Sequence, residues 1–228
     1  MPVDAAGGRY RERPIEPGRT ALLSIDMQNM ECGVHLRHRA HEVGTPEHAK
    51  AWFFRRIDDV VIPAQARLLA AARAAGVEVM FTTIESLTRD GRDRSLDHKI
   101  SRIHAPRGSW EGRVIDEVGP AGDEIVIPKT ASGVFNSTNI DYVLCNLGVR
   151  SLVLFGVLTD QCVESTIRDA ADRGYLVTVV EDACATYTEA RHVHSIRSMD
   201  GAYARVRSAD QLIAEIRAVC GPEDRAAG

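Results

Sequence analysis

Three side chains capable of acid, base or nucleophilic chemistry stand just after apolar segments of the sequence. Asp26 directly follows the segment 21–25, and Lys129 directly follows 124–128. A short turn joins Cys162 to a third apolar segment. Because parallel strands end at the same edge of a sheet, we expect the three residues to converge there although they are far apart in the sequence. An aspartate, a lysine and a cysteine at one edge predict a site for nucleophilic catalysis.

Each of the three residue types suits one role in such a site. The thiol of Cys162 is the candidate nucleophile, and Asp26 is a base that takes the thiol proton. Lys129 would hold Asp26 ionised and stabilise the thiolate, since opposite charges within about 4–6 Å favour both charged forms. A helix is predicted over 163–174, so Cys162 would lie near its positive end, a position that favours thiolate. Backbone N–H groups at this turn could receive an oxyanion.

Each residue also has an ordinary structural explanation. Cysteine is among the most buried residue types, so core packing is the more common role for a cysteine such as Cys162 taken alone. Asp26 is suited to capping the turn after its strand, and Lys129 to marking where a strand reaches solvent. The coincidence of all three at equivalent strand ends is what favours a site.

The rest of the chain predicts the fold that would position them. Six apolar segments are typical of strands, at 21–25, 77–82, 124–128, 152–155, 176–180 and 203–206. Segments of helical periodicity lie between and after them, at 62–75, 137–147, 163–174 and from 208 onwards. This alternation predicts an α/β fold, with three α/β/α layers and a Rossmann-like, mainly parallel six-stranded sheet that carries helices on both faces. We predict one domain over 19–219, between flexible tails at 1–18 and 220–228.

The composition argues against several classes of protein. The chain has 228 residues and a formal net charge of −4, so its charge gives no indication of nucleic-acid binding. No segment approaches the roughly 20 apolar residues of a membrane span, and the N-terminus lacks an apolar signal region, so we predict a cytoplasmic protein. The five cysteines are dispersed and form no CxxC pair, which predicts free thiols at Cys32, Cys145, Cys162, Cys184 and Cys220.

Two long connections are candidates for the walls of a pocket. They span 27–52 and 86–119 and follow the first and second predicted strands. Both exceed the usual length of such connections, and both leave the strand ends where ligands bind in open α/β sheets. Either one could close the pocket. His35, His38, His98 or an arginine of these connections could bind the substrate.

Three blocks of sequence resemble the isochorismatase-like cysteine hydrolases. They are ALLSIDMQN around Asp26, IVIPKTASGVF around Lys129 and GVLTDQCVEST around Cys162. The resemblance runs from about residue 20 to about residue 208. It implies Cys162 as nucleophile, Asp26 as general base and Lys129 as the third catalytic member.

The resemblance also implies how the turn before the nucleophile is built. Members of the family have a non-proline cis peptide there, which falls at Val157–Leu158. The oxyanion hole would then use the backbone N–H groups of Leu158 and Cys162.

Within the family, the chain is most similar to the branch of ureidoacrylate amidohydrolases, N-carbamoylsarcosine amidases and biuret hydrolases. The stretches around 106–111, 132–136 and 162–169 carry this similarity. Nicotinamidases have a metal-binding Asp-x-His near the second strand, and 81–86 lacks it. True isochorismatases dispense with the cysteine, so Cys162 favours acyl or carbamoyl chemistry at a C–N bond.

The resemblance therefore implies hydrolysis of a small ureido, carbamoyl or amide compound, with a ureido acid as the best candidate. A covalent intermediate would form on Cys162 and ammonia or an amine would be released, without a metal or another cofactor. The alternatives are an isochorismatase-type hydrolase, a nicotinamidase-like amidase or a catalytically silent binding scaffold.

The substrate contacts predicted from the sequence are Glu85, Trp110, Phe135, Asn136 and Tyr187. Glu85 comes just after the second predicted strand and could accept N–H groups of a ureido substrate. For each of the five, packing or simple exposure at the surface is the alternative. The predicted partner is a small molecule, with no nucleic acid and no membrane. The family resemblance adds a homo-oligomer, either a dimer or a tetramer.

Overall fold

The computed structural model describes residues 10–219 and contains one six-stranded sheet. Every strand pair in it is parallel, and the strand order is β3-β2-β1-β4-β5-β6. The strands are β1 (Thr20–Ile25), β2 (Glu78–Ile84), β3 (Ile125–Lys129), β4 (Ser151–Val157), β5 (Leu176–Ala185) and β6 (Arg205–Arg207). The α/β fold predicted from the sequence is confirmed, and the sheet is parallel throughout.

Ten α-helices lie among the described residues. They are α1 (Asn29–Cys32), α2 (Val34–Arg39), α3 (Ala51–Arg56), α4 (Ile62–Ala74), α5 (Leu96–Ile100), α6 (Val134–Ser137), α7 (Ile140–Asn146), α8 (Glu164–Asp172), α9 (Glu189–Met199) and α10 (Ala209–Val219). The helix predicted from residue 62 begins earlier, because α3 and a π-helical turn (Ile57–Val61) continue directly into α4. Helix α9 was not predicted, since its buried positions include the polar residues His192 and Ser195.

The two central strands are the most deeply buried elements of the sheet. Every residue of β1 is buried, and so is every residue of β4 after Ser151. Helices α4 and α10 pack together against one face of the sheet, whereas α8 packs against β5 and α6 on the other. Parallel strands covered on both faces require continuous apolar segments, which explains why the strands were recognisable in the sequence.

The strand order reverses direction between β1 and β4. From β1 the chain moves outward through β2 to β3, then returns to β4 and moves the opposite way through β5 to β6. Right-handed crossovers put the connecting helices of the two halves on opposite faces, which opens a crevice at the carboxyl ends of β1 and β4. Asp26 follows β1 and Cys162 follows β4, so both residues lie beside this crevice.

The ends of the chain are described in part. Residues 1–9 and 220–228, which include Cys220 and most of the predicted tails, lie outside the described residues. Ile15 belongs to the predicted N-terminal tail, yet its side chain is buried and its N–H donates a hydrogen bond to Glu215 at 2.7 Å. Among residues 10–219, no helix is long and apolar enough to cross a membrane.

Candidate active site

Asp26 lies at the end of β1 in a conformation that turns the chain sharply. Its φ is 55°, in the left-handed region that aspartate tolerates better than most residues. Its backbone N–H donates to the carbonyl of Thr82 at 3.0 Å, and the Thr82 hydroxyl donates to Oδ1 at 3.3 Å. Strand β2 therefore fixes both the backbone and the carboxylate of Asp26.

Lys129 is the last residue of β3 and is completely buried. Strand β2 separates β3 from β1, so the side chain reaches across about 10 Å, two strand spacings. Its Nζ lies 2.8 Å from Asp26 Oδ2, 3.0 Å from the carbonyl of Ala131 and 3.4 Å from Cys162 Sγ. The ammonium group has three donors, and each of them has a partner. Burial lowers the pKa of Lys129, but the charge of Asp26, together with that of Cys162 when it is ionised, raises the pKa by more, so Lys129 is a cation.

Cys162 lies in a π-helical turn (Thr159–Val163) that leads into α8. The peptide bond between Val157 and Leu158, just before this turn, is cis, as the family resemblance implies. The carbonyl of Cys162 accepts a hydrogen bond from Thr166 Oγ1 at 2.6 Å, which holds the turn against the first turn of α8.

The expectation that this position favours thiolate is wrong for the free protein. Burial raises the pKa of Cys162, the negative charge of Asp26 raises it further, and Lys129 only partly offsets both, which gives a value of about 12. The helix dipole and the lysine favour the thiolate, but the removal of the thiol from water outweighs them. The resting side chain is therefore a thiol beside an Asp26–Lys129 ion pair.

A second buried cluster supports the turn from behind. His192 of α9 places Nδ1 2.9 Å from Thr159 Oγ1 and Nε2 3.0 Å from an Arg56 nitrogen. Because a guanidinium is only a donor, Nε2 must accept and Nδ1 must carry the proton. Burial and the Arg56 charge lower the pKa of His192 to about 4, so the imidazole is neutral at pH 7.

Two of the three reactive side chains, Asp26 and Cys162, border a cavity of about 80 Å³. A single water molecule needs about 10–15 Å³, so the cavity has room for a small molecule. Both long connections contribute to its walls, the first through Gln28, Met30 and Glu31, the second through His98 and Ile103. The complete lining is Asp26, Gln28, Met30, Glu31, Ile84, His98, Ile103, Ser132, Val157, Leu158, Gln161, Cys162 and Tyr187.

Among the five predicted substrate contacts, Tyr187 is the one that lines this cavity. Glu85 directs its carboxylate towards Gly112, and Trp110 is half exposed, with its ring 5.1 Å from that of His35. The structure does not bring Phe135 or Asn136 to the cavity either.

Phe135 packs against Tyr175, with ring centroids 5.8 Å apart, and Asn136 is exposed on α6. His35 and His38 are also exposed. His98, one of the histidines left open by the sequence, does line the cavity.

Four polar residues of the wall were not predicted from the sequence, namely Gln28, Glu31, Ser132 and Gln161. Gln28 is buried, and its side-chain amide donates to the carbonyls of Ile84 and Gly112 and accepts from the Ile84 N–H. It thus joins the end of β2 to the second long connection. Glu31 lines the cavity from α1, and the only signal for it in the sequence was its position two residues after the block around Asp26. Among residues 10–219, no three histidines, cysteines or acids are grouped as a metal site would require.

A known protein family matches most of this chain. The family model described as the isochorismatase domain matches residues 20–211, which include Asp26, Lys129 and Cys162. The chain belongs to the isochorismatase family. The resemblance of the three sequence blocks is thereby confirmed.

Curated members of this family include enzymes named ureidoacrylate amidohydrolase RutB. The one from Pseudomonas savastanoi pv. phaseolicola is 33% identical over 202 residues, covering 80% of this chain and 77% of the relative. The one from Rhizobium rhizogenes is 30% identical over 193 residues, covering 76% of this chain and 74% of the relative.

Solved structures of isochorismatase-like proteins share the fold. A cysteine hydrolase from Pseudomonas syringae pv. phaseolicola superposes with a TM-score of 0.74 over 91% of this chain and 97% of its own, at 24% identity. The N-carbamoylsarcosine amidase of Thermoplasma acidophilum superposes with a TM-score of 0.63 over 84% of this chain and 97% of its own, at 27% identity. The chain is thus a family hydrolase whose relatives include amidohydrolases.

Proposed function

We propose that this protein is a cysteine-dependent amidohydrolase that cleaves a C–N bond of a small ureido, carbamoyl or amide compound. The observation that carries the proposal is the position of Lys129 Nζ, 2.8 Å from Asp26 and 3.4 Å from Cys162 Sγ, beside a cavity of small-molecule size. The names of the relatives, ureidoacrylate amidohydrolase and N-carbamoylsarcosine amidase, support the same bond class.

In the first half of the reaction, Asp26 takes the thiol proton as Cys162 Sγ attacks the carbonyl carbon. The raised pKa of Cys162 makes this transfer necessary, since little thiolate exists before the substrate binds. The oxyanion would be received by the backbone N–H groups of Leu158 and Cys162. The C–N bond then breaks, and the departing nitrogen takes the proton from Asp26. Ammonia or an amine leaves, and an acyl or carbamoyl thioester remains on Cys162.

In the second half, water hydrolyses this thioester. Asp26 takes a proton from the attacking water, the C–S bond breaks, and the proton returns to sulfur. Lys129 stays charged throughout and offsets the negative charge that moves between Asp26 and Cys162. The products are a carboxylic or carbamic acid and the resting thiol.

The test is an ammonia-release screen over ureido acids, biuret-like compounds, carbamoyl amino acids and simple amides. We expect turnover to fall by at least about a thousandfold in Cys162→Ala, the loss typical of a missing nucleophile, with folding retained. The matched control is Cys145→Ala, which removes an exposed thiol that does not line the cavity. Mass spectrometry of a quenched reaction should find the acyl group on Cys162.

The alternative of a binding scaffold makes the opposite prediction. A scaffold would release no ammonia from any compound, or would do so equally well in Cys162→Ala. The homo-oligomer, as a dimer or tetramer, also stays a proposal, which light scattering on the purified protein would test.

A further inference from the structure

The polar groups of the cavity wall are unusual for an enzyme that binds an acid. Among residues 10–219, neither a lysine nor an arginine lines the cavity. The nearby Lys129 is buried behind the wall with all three donors occupied, one of them by Asp26. A carboxylate that entered would therefore lose its water without meeting a free cation, which opposes binding strongly.

Glu31 adds a carboxyl group to the wall of this cavity. Its Oε1 atom is buried without a hydrogen-bond partner and lies 3.8 Å from Lys50 Nζ, which stands in the neighbouring cleft. Burial raises the pKa of Glu31 above its ordinary value, and Lys50 and a hydrogen bond with the Tyr187 side chain offset this only in part. The ammonium of Lys50 also stacks over the Tyr187 ring at 4.1 Å, so it is held outside the cavity.

His98 presents a second unpartnered polar group to the same cavity. It is completely buried, and both of its ring nitrogens lack a hydrogen-bond partner. Its backbone is fixed, because Ser95 caps α5 through the His98 N–H and is tied in turn to Thr130. Burial and the nearby Lys129 charge lower the pKa of His98, so the ring is neutral and offers one donor and one acceptor.

From these groups we infer that the cavity selects an uncharged substrate rich in N–H donors, with Glu31 and His98 as the residues that determine specificity. This inference rests on the proposed amidohydrolase function and narrows its substrate class. A carbamoyl or amide compound without a carboxylate supplies N–H groups to both acceptors. It departs from the ureido acid that the family resemblance favours. An unsatisfied buried acceptor is costly, so a ligand that pairs it binds more tightly.

Two alkylating reagents of matched size test the charge selectivity directly. Iodoacetamide is neutral and carries an amide, whereas iodoacetate is an anion with the same leaving group. The quantity compared is the rate with iodoacetamide divided by the rate with iodoacetate. We expect this ratio at Cys162 to exceed the ratio at the exposed Cys145 by about tenfold or more, because Glu31 repels the anion. Mass spectrometry of peptides from one sample measures both sites.

Two variants test whether the charge of Glu31 causes this difference between the two cysteines. Glu31→Gln removes the charge and should bring the ratio at Cys162 to within about threefold of that at Cys145. Glu47→Gln is the matched control, since Glu47 belongs to the neighbouring cleft and pairs with Arg39 at 3.2 Å. Equal ratios at the two cysteines of the wild-type protein, or a preference for iodoacetate at Cys162, would overturn the inference.

A ligand pair tests the contribution of His98. N-carbamoylglycinamide and N-carbamoylglycine differ only in an amide or a carboxylate, and each can protect Cys162 from iodoacetamide. We expect the amide to protect at a concentration about tenfold lower than the acid. In His98→Leu the protecting concentration of the amide should rise about tenfold, and His98→Asn should restore part of the loss. Better or equal protection by the acid, or no protection by either compound, contradicts the inference.

The failure of this inference is distinguishable from the failure of the proposed function. Preferential hydrolysis of the acid, abolished in Cys162→Ala, would leave the amidohydrolase in place and overturn the selectivity. Ammonia release that persists in Cys162→Ala would overturn the proposed mechanism, whereas the alkylation ratios would still decide the charge preference of the cavity.

Discussion

Replacing Asp26 with asparagine should abolish turnover and yet make Cys162 easier to alkylate. The side chain would lose its charge and its ability to take a proton, so the proposed reaction could not begin. The backbone should tolerate the change, because asparagine adopts the left-handed φ of 55° found here as readily as aspartate. If Asp26 had a purely structural role, its replacement would not make Cys162 more reactive.

The size of this effect follows from the geometry of the site. Lys129 Nζ is 2.8 Å from the carboxylate and 3.4 Å from Sγ, so carboxylate and sulfur are no more than about 6 Å apart. At an effective dielectric constant of about 20, two unit charges at this distance interact by about 3 kcal/mol, or about 2 pH units. The thiolate population would rise about a hundredfold, and its lower nucleophilicity would take back about tenfold. We expect alkylation at Cys162 to become about ten times faster.

The assay is iodoacetamide labelling at pH 8, followed by peptide mass spectrometry in a Cys145→Ser background that removes the exposed thiol. In the unsubstituted protein, the labelling rate at Cys162 should keep rising to at least pH 9, because its pKa of about 12 leaves the thiol protonated. Slower or unchanged labelling in Asp26→Asn would refute the reasoning. A plateau below pH 8 in the wild-type protein would refute the raised pKa itself.

Three further substitutions and one control substitution test how the site is held together. Lys129→Gln leaves the carboxylate of Asp26 buried and unpaired, so we expect a loss of about 3–5 kcal/mol in urea unfolding together with loss of turnover; wild-type stability would argue against a buried ion pair. Gly156→Ala should destabilise by about 3 kcal/mol or more, because φ is 123° and the new Cβ would collide with the carbonyl of Ile25. Gly174→Ala, at φ 91° in open space, is its control and should cost about 1 kcal/mol. The pKa of His192 falls from 6.5 to about 4 on folding, so its contribution to stability is present above pH 6.5 and is lost as the pH falls towards 4. Between pH 7 and pH 5 the free energy of unfolding of the wild-type protein should fall by about 2 kcal/mol more than that of His192→Gln. If the two proteins lose stability in parallel over this range, a neutral His192 is contradicted.

The reactive residues could be predicted because their positions depend on local sequence. Asp26 comes directly after a continuous apolar strand, and Lys129 is the last residue of another. Parallel strands end at a common edge of the sheet. Cys162 follows a strand of the same kind across one turn. The protonation state of Cys162 could not be predicted from the helix dipole and the lysine. It depends on burial, which arises only when the loops cover the site.

The cavity wall could not be predicted in the same way. Side chains alternate between the two sides of a strand, so a difference of one residue decides which side a residue faces. Ile84 lines the cavity, whereas the adjacent Glu85 directs its carboxylate towards Gly112. Glu31 and His98 reach the cavity from short helices whose placement depends on contacts distant in the sequence, such as those of Gln28 with Gly112.

The sequence by itself determined the parallel α/β fold and the identity of the three converging residues, because both follow from apolar segments and from what stands at their ends. The tertiary structure alone decided the reversal of strand order between β1 and β4, the thiol form of Cys162 and the acceptors exposed to the cavity. These features depend on distances between segments remote in the chain and on the exclusion of water, and no local pattern of residues records either of them.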